Sequence, residues 1–298
     1  MRLSDRIETF RQVWGHPGNQ HRRPAALGDY LRWNLGYRIL RAEHVLPLIG
    51  DARLIVSERQ NYATLTYVNR LWDFPEMMFM LHFLRPSDVF ADLGANVGGY
   101  TMLASRVAAC QAIAFEPVPV TFAELQANIR LNDVTAKVDA RCCGLGAEPG
   151  VLRMTAGLGG MNHVAPEQFG GRTVDVQVAT LDEALDGRAV NLIKMDAEGF
   201  EYNILAGAQR TLADPTLSGI VVELNGSGLR YGFSDDDVHA EITRFGFIPH
   251  SYDARNRRLE RKADYNRVDF NTLYLRPSAL IAERIASAAP QSFRGIDF

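Results

Sequence analysis

The stretch that decides the fold is Asp88-Val-Phe-Ala-Asp-Leu-Gly-Ala-Asn-Val-Gly-Gly-Tyr-Thr101. Its apolar run Val89–Ala91 predicts a strand that ends in the carboxylate of Asp92, and glycines precede a helical pattern over residues 100–107. A strand, a glycine-rich turn and a helix in this order open a nucleotide-binding crevice in α/β sheets. The glycine spacing departs from the Gly-x-Gly-x-x-Gly dinucleotide fingerprint. The stretch therefore predicts a nucleotide crevice with an unusual first loop.

Strands and helices alternate after this unit, which is typical of a parallel sheet. The predicted strands cover residues 89–91, 112–115, 137–142, 151–155, 174–179, 190–195 and 219–224. Residues 247–252 and 272–275 are predicted as an antiparallel pair at the sheet edge. We therefore expect an α/β fold with a doubly wound, mostly parallel sheet and an antiparallel edge strand.

Residues 1–85 are predicted to form an N-terminal appendage of helices and a short hairpin, either for acceptor binding or for oligomerisation. The hairpin strands are predicted at residues 53–57 and 63–68, with its turn at Arg59-Gln60-Asn61. Asp73-x-x-Glu76 has the pattern of a capping box and predicts a helix that ends at Pro86. Residues 86–277 are the predicted catalytic domain and residues 278–298 a C-terminal tail. A homo-oligomer is compatible with this organisation.

The formal net charge is −3 over 298 residues, so the chain lacks the basic surface of a nucleic-acid binder. The basic run Arg255–Lys262 is interpreted as a solvated face. Three cysteines, Cys110, Cys142 and Cys143, lack metal-type spacing, which favours a reduced protein. No apolar stretch approaches the ~20 residues of a membrane span. We therefore expect a cytoplasmic protein with no nucleic-acid partner and no membrane span.

Polar side chains end four of the predicted strands: Asp92, Glu116, Asp196 and Asn225, with Glu223 just inside the last one. Because the carboxyl ends of parallel strands meet at one edge, these side chains are expected to lie close together. Each could instead be a simple strand cap. Four such ends with neighbouring glycines favour a binding site.

The carboxylate of Glu116 comes 24 residues after Asp92, at the end of the second strand. A carboxylate there can accept both hydrogen bonds of a ribose diol, as in nicotinamide and S-adenosylmethionine (SAM) sites. An acidic strand end at Asp92 suits the ammonium group of SAM and would repel a pyrophosphate. The residues therefore favour SAM over NAD.

The densest charged cluster is Lys194-Met-Asp-Ala-Glu-Gly-Phe-Glu201, at a strand-to-helix junction. One interpretation is that Glu198 and Glu201 offset the dipole of the following helix. The other is that Asp196 and Glu198 face the acceptor, where one orients a hydroxyl group and one accepts its proton.

Five stretches together resemble the FkbM-type SAM-dependent methyltransferases. They are Asp92-Leu-Gly-Ala-Asn-Val-Gly98, Phe115-Glu116-Pro117, Leu125-x-x-Asn128-Ile129-x-x-Asn132, Thr180-Leu181-Asp182 and Lys194-Met-Asp196-Ala-Glu198-Gly199-x-Glu201. The last motif is the most specific, because SAM-binding folds at large do not share it. The resemblance implies a Rossmann-like methyltransferase fold. It also implies methyl transfer from SAM, usually to a hydroxyl oxygen of a sugar, a glycan or a polyketide-type natural product.

The resemblance also implies roles for single residues. The first loop surrounds the methionine part of SAM, Glu116 holds the ribose, Cys143-Gly144 lies along the adenine, and Asp196 lies near the transferring methyl group. The cofactor-binding residues are therefore expected to be Asp92, Gly94, Ala95, Asn96, Gly98, Tyr100, Glu116, Pro117, Cys143 and Gly144. No residue is assigned to a metal ion.

An alcohol is a poor nucleophile at neutral pH, so a base near the methyl group is useful. We expect Asp196 to be this base, with Glu198 and His163 as the other catalytic candidates. His163 lies in the loop of residues 157–171, which is long and glycine-rich enough to act as a lid. Four aromatic residues of the appendage could stack on a sugar ring, although such residues more often face a core: Trp33, Tyr62, Tyr67 and Trp72.

Three alternatives remain open from the sequence. Asp196, Glu198 and Glu223 could hold Mg²⁺ for a catechol-like acceptor, because hard oxygen ligands suit that ion. The chain could be an NAD-dependent oxidoreductase. It could also be a non-catalytic protein of the same fold that uses residues 1–85 as an interaction module.

Overall fold

A layer of helices and one hairpin precedes the main sheet in the computed structural model, which describes residues 3–40, 43–56 and 63–298. Its elements are α1 (Leu3–Gly15), α2 (Arg23–Leu40), β1 (His44–Pro47), β2 (Arg53–Val56), α3 (Ala63–Asn69) and α4 (Phe74–Phe83). The first three helices share a small core formed by Val13, Ala26 and Val68. The predicted helices of the appendage, including the one that follows Asp73, are therefore present.

The predicted hairpin is wrong in its second strand. Residues 63–69 form the helix α3, and β2 pairs instead with the preceding strand β1. Threonine and valine in this segment suggested a strand, because β-branched residues favour strands. Burial at Ala63, Thr66 and Asn69 instead follows one face of a helix. The predicted turn at residues 59–61 lies outside the described residues.

The second part of the chain contains strand–helix units and two runs of consecutive strands. Its elements are β3 (Val89–Leu93), α5 (Gly99–Met102), β4 (Gln111–Phe115), α6 (Pro119–Leu131), β5 (Val138–Arg141), β6 (Gly144–Leu145), β7 (Gly150–Thr155), β8 (Thr173–Ala179), α7 (Leu181–Ala184), β9 (Leu192–Met195), α8 (Glu201–Ala206), α9 (Gln209–Ala213), β10 (Gly219–Glu223), α10 (Asp235–Arg244), β11 (Ile248–Asp253), β12 (Arg258–Arg261), β13 (Asn271–Leu275), α11 (Ala279–Ser287), β14 (Ser292–Phe293) and β15 (Ile296–Asp297). The two runs are β5–β8 and β11–β13, and β6, β8 and β7 form a separate three-stranded sheet. The helix expected after the Lys194–Glu201 cluster is divided into α8 and α9.

Eight strands form the central sheet in the order β12-β11-β13-β10-β9-β3-β4-β5. The five strands from β10 to β5 are parallel, whereas β13, β11 and β12 add antiparallel pairs. The predicted α/β class and mostly parallel sheet are therefore confirmed. The predicted antiparallel edge is also present, but β12, which lies within the basic run Arg255–Lys262, extends it by one strand.

One cluster of buried apolar side chains joins all three predicted parts of the chain. It includes Trp33 of α2, Phe90 of β3 and Ile281 of α11. The buried carboxylate of Asp88 also pairs with Arg284 of α11, with oxygen–nitrogen distances of 2.6 and 3.1 Å. Residues 279–287 are thus a packed helix, and the division at residues 85/86 and 277/278 stays a prediction. Among the described residues no helix is long and apolar enough to cross a membrane.

Asn128 of α6 and Asn132, which directly follows α6, hold the hairpin strand β2. Asn128 Oδ1 accepts from the backbone N–H of Ile55 at 2.7 Å, and Asn128 Nδ2 donates to the carbonyl of Val97 at 2.9 Å. Asn132 both accepts from and donates to the backbone of Arg53, at 2.8 Å each. The two amides therefore bond backbone groups of β2 that a second neighbouring strand, besides β1, would otherwise bond. Asn128 also contacts the loop after β3.

Candidate functional site

The strand ends β3, β4, β9 and β10 meet at one edge of the sheet, as the sequence predicted. Leu93 pairs in register with both Phe115 and Met195. Gly94 follows with φ +80°, and a Cβ added to it would overlap the carbonyl oxygen of Asp196. Only glycine permits this approach and this backbone angle. The first loop therefore lies in direct backbone contact with the end of β9.

A first cleft of about 750 Å³ opens between this loop, the end of β4 and the loop of residues 157–171. Six of the predicted cofactor residues line it: Gly94, Asn96, Glu116, Pro117, Cys143 and Gly144. Leu152 and Met154 of β7 and Val176 and Val178 of β8 supply apolar walls. A concave, mostly apolar pocket with a few fixed polar groups is typical of a cofactor site.

Glu116 is buried and firmly oriented at the end of β4. Its two carboxylate oxygens accept from the backbone N–H groups of Asn96 and Val118, at 3.0 and 2.9 Å. Burial raises the pKa of Glu116 to about 7, although these two hydrogen bonds act in the opposite direction. A carboxylate held in this way can accept hydrogen bonds from a diol on its remaining lone pairs.

Asp92 is buried at the end of β3, where Thr101 Oγ1 donates to its Oδ2 at 2.5 Å. Burial raises the pKa of Asp92 to about 6, against the effect of the Thr101 hydrogen bond. Gly98 lines neither cleft and instead directly precedes α5 as its N-cap, with φ +91°. The glycine turn therefore serves both to approach β9 and to start the helix.

A second cleft of about 1040 Å³ continues from the first. The residues that line both clefts are Gly94, Asn96, Gly160, Asp196 and Glu198. Asp92, Ala95 and Tyr100, which the sequence assigned to the cofactor, line this second cleft. Leu65 and Trp72 reach it from the N-terminal layer. The two clefts thus meet at the acidic end of β9.

Asp196, Glu198 and Glu223 converge at this junction, with carboxylate oxygens within 4.8 Å of one another. The negative charge of Asp196, together with burial, raises the pKa of Glu223 to about 10. Burial and the same neighbour raise the pKa of Glu198 to about 7. Glu223 therefore keeps its proton at neutral pH, whereas Glu198 changes its protonation state near pH 7.

Lys194 is the cation beneath these carboxylates and is almost completely buried. Its Nζ donates to Asn271 Oδ1 at 2.9 Å and lies 3.7 Å from Asp196 Oδ2. Burial alone would lower the pKa of Lys194, but the neighbouring carboxylates of Asp196, Asp73 and others raise it. Lys194 therefore keeps its charge and holds Asp196 in place.

Asp73 is a site residue that the sequence interpretation assigned to a helix cap. It precedes α4 but makes no side-chain cap hydrogen bond. Its carboxylate instead accepts from Tyr100 Oη at 3.0 Å and from Asn271 Nδ2 at 3.1 Å. Burial raises the pKa of Asp73. The predicted capping box is therefore wrong, although the helix itself is present.

Glu201 has a structural contact that fixes the loop after β9. Its Oε1 accepts from the backbone N–H groups of Ala197 and Gly199, at 2.8 and 3.2 Å. The carboxylate is buried and lines neither cleft. Within this charged cluster, Asp196 and Glu198 line the clefts, and Glu201 lies behind them.

The glycine-rich loop of residues 157–171 borders both clefts through Gly160, whereas His163 lines neither. The Nδ1 atom of His163 lies 2.9 Å from the carbonyl oxygen of Met161. Its role as a base stays a prediction. Asn225 is exposed and contacts Glu223 at 3.3 Å.

The four aromatic candidates of the N-terminal layer differ in position. Trp33 is buried and stacks on Tyr67, with ring centroids 4.6 Å apart, so this pair belongs to the core. Tyr62 lies outside the described residues. Trp72 is half-buried and lines the second cleft. No local sequence signal separated Trp72 from the others.

Comparisons with known proteins agree with this geometry. The model of the methyltransferase FkbM domain matches residues 92–249. The methyltransferase sdnD of Sordaria araneosa is 26% identical over 224 residues, which span 62% of this chain and 86% of that protein. The 31-O-demethyl-FK506 methyltransferase FkbM of Streptomyces tacrolimicus is 31% identical over 180 residues, or 48% of this chain and 67% of that protein.

Among solved structures, that of M. jannaschii TYW2 in complex with AdoMet aligns with a TM-score of 0.42 at 11% identity. The alignment covers 80% of this chain and 88% of the other. The FkbM match takes in the ends of β3, β4, β9 and β10, and hence the junction of the two clefts. The chain therefore belongs to the FkbM methyltransferase family and is a SAM-dependent methyltransferase.

Proposed function

We propose that the chain transfers the methyl group of SAM to a hydroxyl oxygen of a sugar, a glycan or a polyketide-type natural product. The observation that carries this proposal is the junction of the two clefts at Asp196 and Glu198. A donor in the first cleft and an acceptor in the second would meet at these carboxylates. The name of the Streptomyces relative, a 31-O-demethyl-FK506 methyltransferase, supports an oxygen acceptor.

The donor lies in the first cleft in this proposal. Glu116 accepts hydrogen bonds from the ribose diol, and Cys143 and Gly144 lie along the adenine. The methionine part would extend past Gly94, which lines both clefts, to Asp92 in the adjoining second cleft, where the carboxylate charge suits an ammonium group. Because the chain belongs to a SAM-dependent family, we discard the alternative of an NAD-dependent oxidoreductase.

The acceptor hydroxyl lies beside Asp196 in the second cleft. Its oxygen attacks the methyl carbon in line with the leaving sulfur, so that the new C–O bond forms as the S–C bond breaks. The hydroxyl proton passes to Asp196, and S-adenosylhomocysteine leaves. SAM is already activated, so the protein contributes alignment and proton removal. Lys194 orients the Asp196 carboxylate from below, and Glu198 is the second candidate base.

A Mg²⁺-dependent transfer to a catechol-like acceptor is the second candidate. One observation favours it, namely the approach of Asp196, Glu198 and Glu223 to within 4.8 Å, since carboxylates are ligands that Mg²⁺ prefers. The ammonium of Lys194 already lies 3.7 Å from Asp196 and would repel a dication. We therefore favour transfer without a metal ion. Activity that disappears on EDTA treatment and returns with Mg²⁺ would reverse this order.

The test combines calorimetry with SAM and a screen of hydroxylated glycans and polyketides, in which the mass gain of one methyl group is read. We expect SAM binding and a product that is stable to alkali, as an ether is and a methyl ester is not. Methylation of a nitrogen or carboxylate instead of a hydroxyl would contradict the proposal. SAM binding without transfer to any acceptor would indicate the non-catalytic alternative.

A further inference from the structure

Four arginines from distant parts of the chain surround one aspartate of α2. They are Arg22, which precedes α2, Arg32 of α2, Arg70, which follows α3, and Arg294, which lies between β14 and β15. Oδ2 of Asp29 lies 2.5 Å from Arg22 Nη2, and its Oδ1 lies 3.5 Å from Arg32 Nη1. Among the described side chains, Asp29 is the only carboxylate that pairs with any of the four arginines. The cluster therefore carries an excess of positive charge.

Hydrogen bonds hold the guanidinium group of Arg294 between the segments of Arg22 and Arg70. It donates to Asn19 Oδ1 and to the carbonyl of Val68, at 2.5 Å each. The backbone N–H of Arg22 donates to the carbonyl of Asn19 at 2.9 Å, and Arg70 comes two residues after Val68. The tertiary fold thus brings three arginines together that sequence spacing does not connect.

The positive charges of these arginines act on one another. Burial, and then the charges of Arg22 and Arg70, lower the pKa of Arg294 to about 9. Burial and the charge of Arg22 also lower the pKa of Arg70. Guanidinium groups ordinarily hold their proton strongly, and charges that are shielded from water are normally paired. An anion bound among the arginines would therefore relieve their repulsion.

Two of the arginines have donors for such an anion. Arg22 Nη1 is buried and has no hydrogen-bond partner among the described residues. The guanidinium group of Arg70 makes neither a hydrogen bond nor an ion pair with those residues. The side chains of Arg22 and Asp29 are 22% and 20% exposed, so the cluster is shielded but accessible from solvent. The planar fork of a guanidinium group matches two oxygens of a phosphate group.

We propose that Arg22, Arg70 and Arg294 form a binding site for a phosphate group. Arg32, whose side chain is 80% exposed, adds a fourth charge at its edge. The anion contacts three separate segments and so stabilises the packing of the N-terminal layer against β14 and β15. None of these arginines lines either cleft, so the site is distinct from the one that binds SAM.

Two sources supply a phosphate group, namely a free phosphate ester and a phospholipid headgroup. The second source is considered because α1 and α2 expose apolar side chains with 40% to 67% of their surface accessible: Phe10, Trp14, Leu31 and Leu35. Residues 1–41 also contain eight arginines and three acidic residues, whereas the whole chain has a net charge of −3. Exposed apolar side chains with arginines are typical of helices at an anionic membrane surface.

The experiment uses the full-length chain and two probes. Calorimetry and thermal unfolding at pH 7 compare inorganic phosphate with chloride at equal ionic strength, because salt screens like charges without specific binding. Cosedimentation compares phosphatidylcholine vesicles with and without phosphatidic acid. For a free ester we expect phosphate to bind with a dissociation constant below about 1 mM and to raise Tm more than chloride does. Vesicle binding that requires both phosphatidic acid and Arg70 identifies a headgroup instead.

The variants test the role of Arg70. Arg70→Gln should lower the affinity for phosphate, or for the acidic vesicles, by at least about tenfold. Without phosphate its Tm should equal or exceed that of wild type, because the substitution removes a like charge and no hydrogen bond. Saturating phosphate should reverse this order. Arg70→Lys keeps the charge without the planar fork and should lie between the two. Arg255→Gln, which changes an exposed arginine between β11 and β12, is the matched control.

Two results would overturn the proposal. One is phosphate that stabilises wild type no more than chloride does, together with vesicles that do not bind. The other is phosphate or vesicle binding that is equal in wild type and Arg70→Gln, with a SAM dissociation constant within about twofold as the sign that the variant is folded. If Arg70→Gln does not fold, Arg32→Gln, which changes an exposed side chain, should still lower the affinity by about threefold. An unchanged affinity in that variant then overturns the proposal.

Discussion

The two clefts are built in different ways. In the first, backbone groups fix the geometry: Glu116 is held by two backbone N–H groups, and Gly94 lets one strand end contact another. In the second, side chains from distant parts of the chain meet, and most of them are charged or aromatic. The first cleft is thus a property of the fold, whereas the second depends on particular side chains. Substitutions of residues in one cleft or the other should therefore show which side chains act on donor binding and which act on methyl transfer.

Asp196→Asn should have the largest effect and should act on transfer alone. Loss of a general base lowers kcat by about 10²- to 10⁴-fold. The amide has nearly the same shape, so the SAM dissociation constant should change by less than about threefold. Single-turnover kinetics and calorimetry measure the two quantities. Asp175→Asn, which removes an exposed carboxylate of β8 that pairs with Arg153, is the control. Unchanged turnover in Asp196→Asn would mean that Asp196 is not the base.

Gly94→Ala should affect the first cleft most strongly. The new Cβ would overlap the carbonyl of Asp196 at a backbone angle that disfavours alanine, and such strain costs about 1–3 kcal/mol. We expect SAM affinity to fall by about tenfold to a hundredfold and Tm to fall with it. Gly150→Ala is the control, because no atom lies within 4 Å of its added Cβ. Equal effects of the two substitutions would remove the special role of Gly94.

Glu116 should give SAM binding a pH dependence. Its pKa is raised to about 7 in the folded protein, above the ordinary value of 4.5, so the proton is lost only near neutrality. The ionised form is the better acceptor for ribose hydroxyl groups, and SAM affinity should therefore rise as the pH increases through about 7. Glu116→Gln should weaken binding and remove this rise, which calorimetry between about pH 5 and pH 8 would show.

The stability of the unliganded protein should change in the opposite direction with pH. A carboxyl group whose folded pKa is raised stabilises the fold below its unfolded pKa, and this contribution is lost as the pH rises toward the folded pKa. For Glu116 that window runs from 4.5 to about 7. Urea unfolding of wild type and Glu116→Gln measures the difference. Stability and SAM affinity that rise together through this window would contradict the assignment.

Asn128→Ala should have the smallest effect on catalysis and a clear effect on stability. It leaves the Ile55 N–H and the Val97 carbonyl without their partner, which costs about 1–3 kcal/mol. Turnover at saturating substrates should stay within about twofold. Asn34→Ala is the control, since Asn34 is half-buried and, among the described residues, its side chain donates to the Tyr30 carbonyl of its own helix. A large loss of SAM affinity in Asn128→Ala would contradict this expectation and show that its bond to the Val97 carbonyl holds the first loop in its SAM-binding form.

The sequence predicted the first cleft better than the second for a physical reason. Glu116 and Asp196 directly follow the strands β4 and β9, and the rules of parallel sheets bring such strand ends together. Asp73 and Asn271 are 198 positions apart and meet only through the tertiary fold. The local pattern after Asp73 indicated a helix cap, because the same residue types serve both purposes. The error at residues 63–68 has a similar origin, since packing overrode the strand preference of threonine and valine.

The amide contacts of Asn128 and Asn132 with β2 bear on how such enzymes diversify. The hairpin bonds to these asparagines through its own backbone, and backbone groups are present whatever its side chains are. Its buried side chains, such as Leu54 and Val56, also pack in one cluster with Leu125 and Ile129 of α6. Exchanges that keep these buried side chains can therefore change the segment that carries Leu65 and Trp72 while the joint to the catalytic half is kept. A chimera made at this seam is a practical route to new acceptor selectivity with an unaltered donor half.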